Sequence, residues 1–209
     1  MIKAIIFDLD DTLCLETDYV KSGFSAIADA FGDCTLADKL WQLFCQDKNN
    51  VYQRAGFTKE QCERAIDIYR NHKPTINLSD TVVQLLKKLR LDGYKLGVIT
   101  DGRPNGQRAK IEALGLEKLV DKIIITDELG GVEYRKPNPK AFELMKEYFC
   151  VEFCQMVYVG DNPKKDFIAP NKLGMKSVYY KNPNGIYYGD TKLEGNVKTI
   201  TEITEVLMV

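Results

Sequence analysis

Five short runs of the chain, at 3–7, 95–99, 122–126, 156–159 and 177–180, are apolar with little interruption. Most are rich in Val and Ile, and most do not alternate with polar residues. Such runs predict strands of a parallel sheet covered on both faces, because a sheet with one wet face alternates. Between the later runs, apolar residues recur at helical spacing. Ser79 predicts the cap of a helix carrying Val82, Val83, Leu85, Leu86 and Leu89, with Gly93 as its stop. A second helix is expected over about 105–114, before Gly115. A third is expected from Asn138-Pro139, a cap residue followed by proline at the first helical position. A fourth should follow Pro163 and stop at Gly174. Strand and helix in alternation predict an α/β fold, a doubly wound parallel sheet.

The stretch between the first and second strands breaks this rhythm. From about 17 to 76 no strand is expected, and three or four helical stretches are. Residues 18–31 place Phe24, Ile27, Ala28 and Phe31 on one face, and 36–47 carry Leu40, Leu43 and Phe44. Thr58 with Gln61 three residues on reads as a capping box that starts a helix bearing Cys62, Ala65, Ile66 and Tyr69. The pattern predicts a small all-α domain at 17–74 inserted into an α/β core of 1–16 and 75–209. Beyond 182 the pattern weakens to a Gly/Asn/Pro/Tyr loop and one short strand or helix near 197–207.

With 209 residues, the chain has room for one large domain or one domain with an insertion. A net charge of −1 points to neither nucleic acid nor a membrane surface as a partner. No run reaches the roughly 18 apolar residues of a membrane helix, and the N-terminal residues do not read as a secretory signal. The six cysteines are expected to be reduced, buried thiols of a cytoplasmic protein. Cys150 and Cys154 stand four apart with no second pair or His beside them, so structural thiols are expected rather than a zinc site.

The chemistry gathers at the strand ends. The first strand runs into Asp8-Leu9-Asp10-Asp11-Thr12, with three carboxylates in four residues. Like charges this close raise one another's pKa unless a cation intervenes. Mg²⁺ suits the place, since it takes carboxylate oxygens together with water and a substrate phosphate. A solvated acidic turn with Asp11 or Thr12 as a helix cap is the plainer alternative. The second strand ends in Thr100-Asp101-Gly102, a hydroxyl followed by a glycine that lets backbone amides approach an anion. The fourth ends in Gly160-Asp161 with Asp166 close behind. After the third comes Lys136-Pro137, which supplies a cation for a phosphate or a nucleophilic carboxylate.

Taken in order, these four motifs resemble those of the haloacid dehalogenase superfamily, and within it the phosphatases. The resemblance covers about 1–16 and 75–181, plus the helical cap by its place of insertion. It implies a Mg²⁺-dependent phosphohydrolase acting on a small phosphorylated metabolite through an aspartyl-phosphate. Asp8 would be the nucleophile and Asp10 the general acid and base. Thr100, with backbone amides near Asp101 and Gly102, would bind the phosphoryl group, and Lys136 would neutralise it together with Asp8. Asp161 would complete a magnesium site with the Asp8 carboxylate and the Asp10 carbonyl, and Asp166 would orient that shell or hold Lys136. Asp10 argues against dehalogenation, whose enzymes lack an Asp at this place. The implied cap would close over the site.

Weaker signals surround this centre. Arg103 is placed to reach an anionic substrate or simply to face solvent. Arg54 and His72 read as cap surface, with contact to a substrate as the alternative, and Trp41 reads as cap core rather than a base-stacking platform. A phosphomutase would use the same Asp8 chemistry. Phosphonate cleavage would need a cap lysine, for which Lys21 and Lys48 are candidates. A non-catalytic interaction module would be expected to lack Asp8, Asp10, Lys136 or Asp161. Tyr179, Tyr180, Tyr187 and Tyr188 crowd the last strand and its loop, with packing and surface contact both open.

Overall fold

The computed structural model describes residues 1–186, 193, 195 and 197–208, and Tyr187 and Tyr188 lie outside them. Among the described residues six strands form one fully parallel sheet: β1 (Ala4–Phe7), β2 (Lys95–Thr100), β3 (Lys122–Ile125), β4 (Met156–Gly160), β5 (Lys176–Tyr180) and β6 (Val197–Ile200). Their order is β3-β2-β1-β4-β5-β6. Every residue of β1 and of β4 is buried, which requires cover on both faces of the sheet. This is an α/β, doubly wound parallel sheet.

The order reverses between β1 and β4. From β1 the chain builds outward through β2 and β3, then returns to the other side of β1 for β4, β5 and β6. Connections leave such a junction in opposite directions and open a crevice at the carboxyl ends of the strands, where ligands of open α/β sheets bind. The register Phe7↔Val159 and the bond from the Asp8 N–H to the Val159 carbonyl (2.8 Å) set Asp8 and Gly160-Asp161 side by side at that crevice.

Helices α5 (Asp80–Leu91), α6 (Pro104–Ala113), α7 (Lys140–Phe149) and α8 (Ile168–Leu173) belong to this unit. Ser79 caps α5 through its hydroxyl, which accepts from the Val82 N–H. The Asn138 side-chain oxygen accepts the Lys140 N–H (2.9 Å) just before α7. The Pro139 carbonyl accepts the Glu143 N–H and Pro139 holds the cap position, so the helix starts at Lys140, one residue later than expected. α8 starts at Ile168, five residues beyond Pro163, because the N–H groups of Lys165 and Asp166 close a turn onto the Asn162 carbonyl first. Phe142, Met145 and Phe149 of α7 pack with Ile6, Ile99 and Tyr158 of the sheet in a continuous apolar core.

The chain divides into two compact units, Met1–Glu16 with Asn77–Val209, and Thr17–Ile76. The second contains α1 (Glu16–Phe31) from its second residue, α2 (Leu36–Gln46), the short α3 (Val51–Arg54) and α4 (Lys59–Asn71). Thr58 and Gln61 form a reciprocal capping box at α4. Thr75 stays with this unit because its N–H donates to the Ser22 hydroxyl (2.8 Å). Its core gathers Phe24, Ile27, Leu36 and Leu40, with Trp41 stacked on Phe44. Arg54 donates to the Leu43 and Asp47 carbonyls, so it ties down the end of α2.

The cysteines differ from expectation. All six are free, but Cys34, Cys45, Cys150 and Cys154 are exposed, and only Cys62 is fully buried. Of the exposed four, Cys45 alone lies within an α-helix, while Cys34 and Cys154 sit in connecting turns and Cys150 caps α7, where no inner face is on offer. No helix among the described residues is long and apolar enough to cross a membrane.

Candidate active site

The segment after β1 folds back on itself. The Leu9 carbonyl accepts the N–H groups of Thr12, Leu13 and Cys14, which closes a tight turn. Asp11 sits at its corner with φ +55°, a left-handed conformation that a short polar side chain tolerates. The turn points its three carboxylates at three different environments.

Asp8 is buried and accepts the Leu9 N–H at 2.8 Å. The Lys136 ammonium lies 2.8 Å from its Oδ1 and 2.9 Å from Asp166 Oδ1. Lys136 also donates to the Tyr158 hydroxyl at 2.8 Å. Burial works against the charge on Lys136, but Asp166 and Asp8 outweigh it and hold the ammonium well above its usual pKa. Burial raises Asp8 to about 6 despite Lys136, with Asp166 adding to the rise.

Asp161, on the β4 side of the crevice, completes the group. Carboxylate oxygens of Asp8, Asp161 and Asp166 all lie within 4.8 Å of one another, and all three residues are buried. Asp166 is aimed by the Asn162 N–H, which donates to its Oδ2 at 2.9 Å. Asp161 has neither a hydrogen-bond nor an ion-pair partner among the described residues. Burial first, then the charges of Asp8, Asp166 and Asp11, push it up to about 9. One lysine thus faces three carboxylates. An all-oxygen, net-negative cluster of this kind fits a hard divalent cation, which would supply the missing charge.

The Asp10 carboxyl is not a member of this cluster and has its own partners. Its Oδ1 meets the Lys110 ammonium at 2.6 Å and its Oδ2 accepts from Gln107 Nε2 at 3.0 Å. Thr100, at the end of β2, also accepts from Gln107 through its hydroxyl. Asp11 is structural: it accepts the N–H groups of Glu16 (2.9 Å) and Ile186 (2.7 Å). The Asn182 side chain donates to its carbonyl, so Asp11 also ties in the loop after β5.

The side chain of Asp101 takes up structural work. It accepts the Lys136 N–H and the Thr126 hydroxyl on Oδ1, and the Lys165 ammonium at 2.8 Å on Oδ2. Burial opposes its charge, but Lys136 and Lys165 win and lower its pKa. Gly102, with φ +141°, leaves room beside Gln107. Arg103 is exposed and has no hydrogen-bond or ion-pair partner among the described residues.

Three contributors escape the motif reading: Gln107, Lys110 and Lys165. For the first two a signal existed. Gln107 and Lys110 fall on the same helical stripe as the buried Ile111 and Leu114, and polar residues on a core-facing stripe call for a partner. Lys165 sits in a charged turn and reads as solvated until the fold brings it to Asp101. In the second unit, Lys21 lies over the Trp41 ring at 4.6 Å. Lys48 borders a cavity of about 250 Å³ lined by Val20, Phe24, Phe44 and Tyr52.

Residues 5–180 match the model of the haloacid dehalogenase-like hydrolases. The chain belongs to that family. A glyceraldehyde 3-phosphate phosphatase of Pyrococcus furiosus is 33% identical over 200 residues, covering 86% of this chain and 81% of its own. The pyrophosphatase PpaX of Bacillus velezensis is 24% identical over 183 residues, with 85% and 82% covered. Among solved structures, a haloacid dehalogenase-superfamily hydrolase from Geobacter sulfurreducens superposes with a TM-score of 0.72 at 18% identity, over 99% of this chain and 95% of that one. The hydrolase YfnB of Bacillus subtilis, solved with magnesium bound, gives a TM-score of 0.71 at 15% identity, over 99% and 97%. With phosphatase relatives spanning most of its length, this haloacid dehalogenase-like hydrolase is a phosphoric monoester hydrolase.

Proposed function

We propose that this enzyme is a Mg²⁺-dependent phosphatase of small phosphorylated metabolites that works through a phosphorylated Asp8. One observation carries the reading. Asp8 lies buried at the switch point of the sheet against a cation, with Asp161 and Asp166 facing it, while Asp10, two residues on, is held apart by a different cation. That separation suits two carboxylates to two roles.

In this reading Asp8 attacks phosphorus as the bond to the leaving oxygen breaks, and Asp10 gives its proton to that oxygen. Water then attacks the phosphorus while its proton passes to Asp10, which frees phosphate and restores Asp8. The Thr100 hydroxyl and the amides near Asp101 and Gly102 bind the transferring group, whose loose transition state gains mainly from placed charge. Lys136 keeps Asp8 ionised and faces the phosphoryl oxygens. Mg²⁺, held by Asp8, Asp161 and the Asp10 carbonyl with Asp166 behind them, would add positive charge on those same oxygens. The donor chemistry of the cluster and the magnesium-bound relative support this choice of ion. The helical unit is the natural selector of the substrate. Six free thiols suit a reducing compartment such as the cytoplasm.

The test is phosphate release from triose, sugar, nucleotide and carboxylate phosphates, with and without Mg²⁺, by the wild type and by Asp8→Asn. Release that needs the metal and vanishes in Asp8→Asn is expected. Folded wild-type protein that releases phosphate from none of them, or an Asp8→Asn variant that keeps its rate, would overturn the reading.

A further inference from the structure

Gln107 and Lys110 lie one turn apart on α6 and both reach the same carboxyl. Lys110 Nζ takes Oδ1 of Asp10 at 2.6 Å, and Gln107 Nε2 takes Oδ2 at 3.0 Å. The same Nε2 lies within hydrogen-bond distance of the Thr100 hydroxyl and of the Asp101 carbonyl, the latter at 3.1 Å, so its two hydrogens are shared among three acceptors. Gln107 is 4% exposed and Lys110 5% exposed, so neither is a solvated surface group. Their neighbours Ile111 and Leu114 on the same stripe are core residues. Burying an ammonium and an amide there costs free energy that leucines would not. Here the compensation is contact with Asp10, which is distant in sequence and adjacent in the fold.

We propose that Gln107 and Lys110 are positioning residues that clamp the Asp10 carboxyl in the direction of proton transfer. The inference rests on the reading of Asp10 as the acid and base given above. Asp10 stands on a turn, beyond the end of the strand, with its side chain 23% exposed. Left alone, it would rotate about two side-chain bonds. Proton transfer needs the carboxyl within about 2.6–3.2 Å of the reacting oxygen, and its efficiency falls when that geometry is lost. One donor on each oxygen fixes the plane of the carboxylate. Each oxygen still keeps a second lone pair for the leaving group or for water. Gln107 presents a neutral donor to the carboxylate, so it fixes the group without adding a second charge beside it. Its second contact, to Thr100, ties this clamp to the residue that receives the phosphoryl group.

The test separates positioning from support of the fold. kcat/KM reports the steps up to departure of the leaving group, which is where Asp10 donates its proton. We would measure it for Lys110→Met and Gln107→Met with 4-nitrophenyl phosphate, phenyl phosphate and an alkyl phosphate. The nitrophenolate leaves with little help from an acid, and an alkoxide needs full protonation. Both variants should lose about tenfold or less on the nitrophenyl ester and about 100-fold or more on the alkyl ester. Melting temperature and Mg²⁺ binding are measured alongside. Equal losses on all three esters, or no loss, would overturn the proposal. If Lys110→Met does not fold, Gln107→Met alone decides, since it removes only a neutral amide. A wild type inactive on these esters and on every metabolite phosphate named above brings down the parent reading and this one together. An active wild type with parallel variants brings down this one alone.

Discussion

Lys136→Met removes the cation around which the candidate site is built and leaves most of its stem in place. The side chain is 0% exposed and contacts both Asp8 and Asp166. Breaking a buried ion pair from one side costs about 3–5 kcal/mol, because the remaining charge stays buried without a partner. In a chain of this size 1 kcal/mol moves the melting temperature by about 2–4 °C. The metal-free variant should therefore melt about 6–20 °C below the wild type at pH 8. The deficit has a pH signature. Asp8 is raised to about 6 and Asp161 to about 9 with Lys136 in place. A carboxyl raised on folding binds its proton more tightly in the folded state. Its stabilisation is complete below the unfolded value near 3.8 and is lost as pH rises through the folded value. Without Lys136 both groups rise further, so the deficit should widen from pH 5 to pH 8 and shrink on acidification. Thermal melts in chelator at pH 5, 6.5 and 8 read this directly. A deficit of the same size at pH 5 and pH 8 would refute the view that Lys136 acts by neutralising these carboxylates.

The same cluster predicts that protons compete with Mg²⁺, so the affinity measured by calorimetry should rise steadily between pH 6 and pH 9, and a flat profile would count against the assignment. Gly160→Ala should weaken Mg²⁺ binding and lower kcat/KM by about tenfold or more, since a Cβ there would meet Asp166 Oδ2 at 2.5 Å. Gly97→Ala, whose Cβ would meet the flexible end of Met145 at 2.9 Å, should be the milder change in the same assays. Asp11→Ala loses two N–H bonds to a charged acceptor and strains a residue at φ +55°, and should cost about 3 kcal/mol in denaturant unfolding.

Much of this protein is written in local patterns. Five unbroken apolar runs are enough for a parallel sheet, because only strands covered on both faces can do without polar alternation. The Ser79 cap and the Thr58 capping box were legible because a cap needs only the side chain and the backbone of one turn. Asp8, Asp10, Thr100 and Asp161 stood out because they sit at or just past strand ends, where an α/β sheet places its ligands, and Lys136 and Asp166 stood out by their place in the four-motif resemblance. What pairs with what was not legible. Lys110 is 100 residues from Asp10, and Lys165 is 64 from Asp101. Those pairs exist only because the sheet order β3-β2-β1-β4-β5-β6 brings the ends of β1, β2 and β4 together. Sequence alone determined which chemistry is present, since motif and periodicity are properties of neighbouring residues. Tertiary structure decided how the three carboxylates after β1 divide into one that faces the acidic cluster, one clamped from α6 and one that ties down a loop. Burial and charge partners are set by distant segments, and these are what tell chemically identical side chains apart.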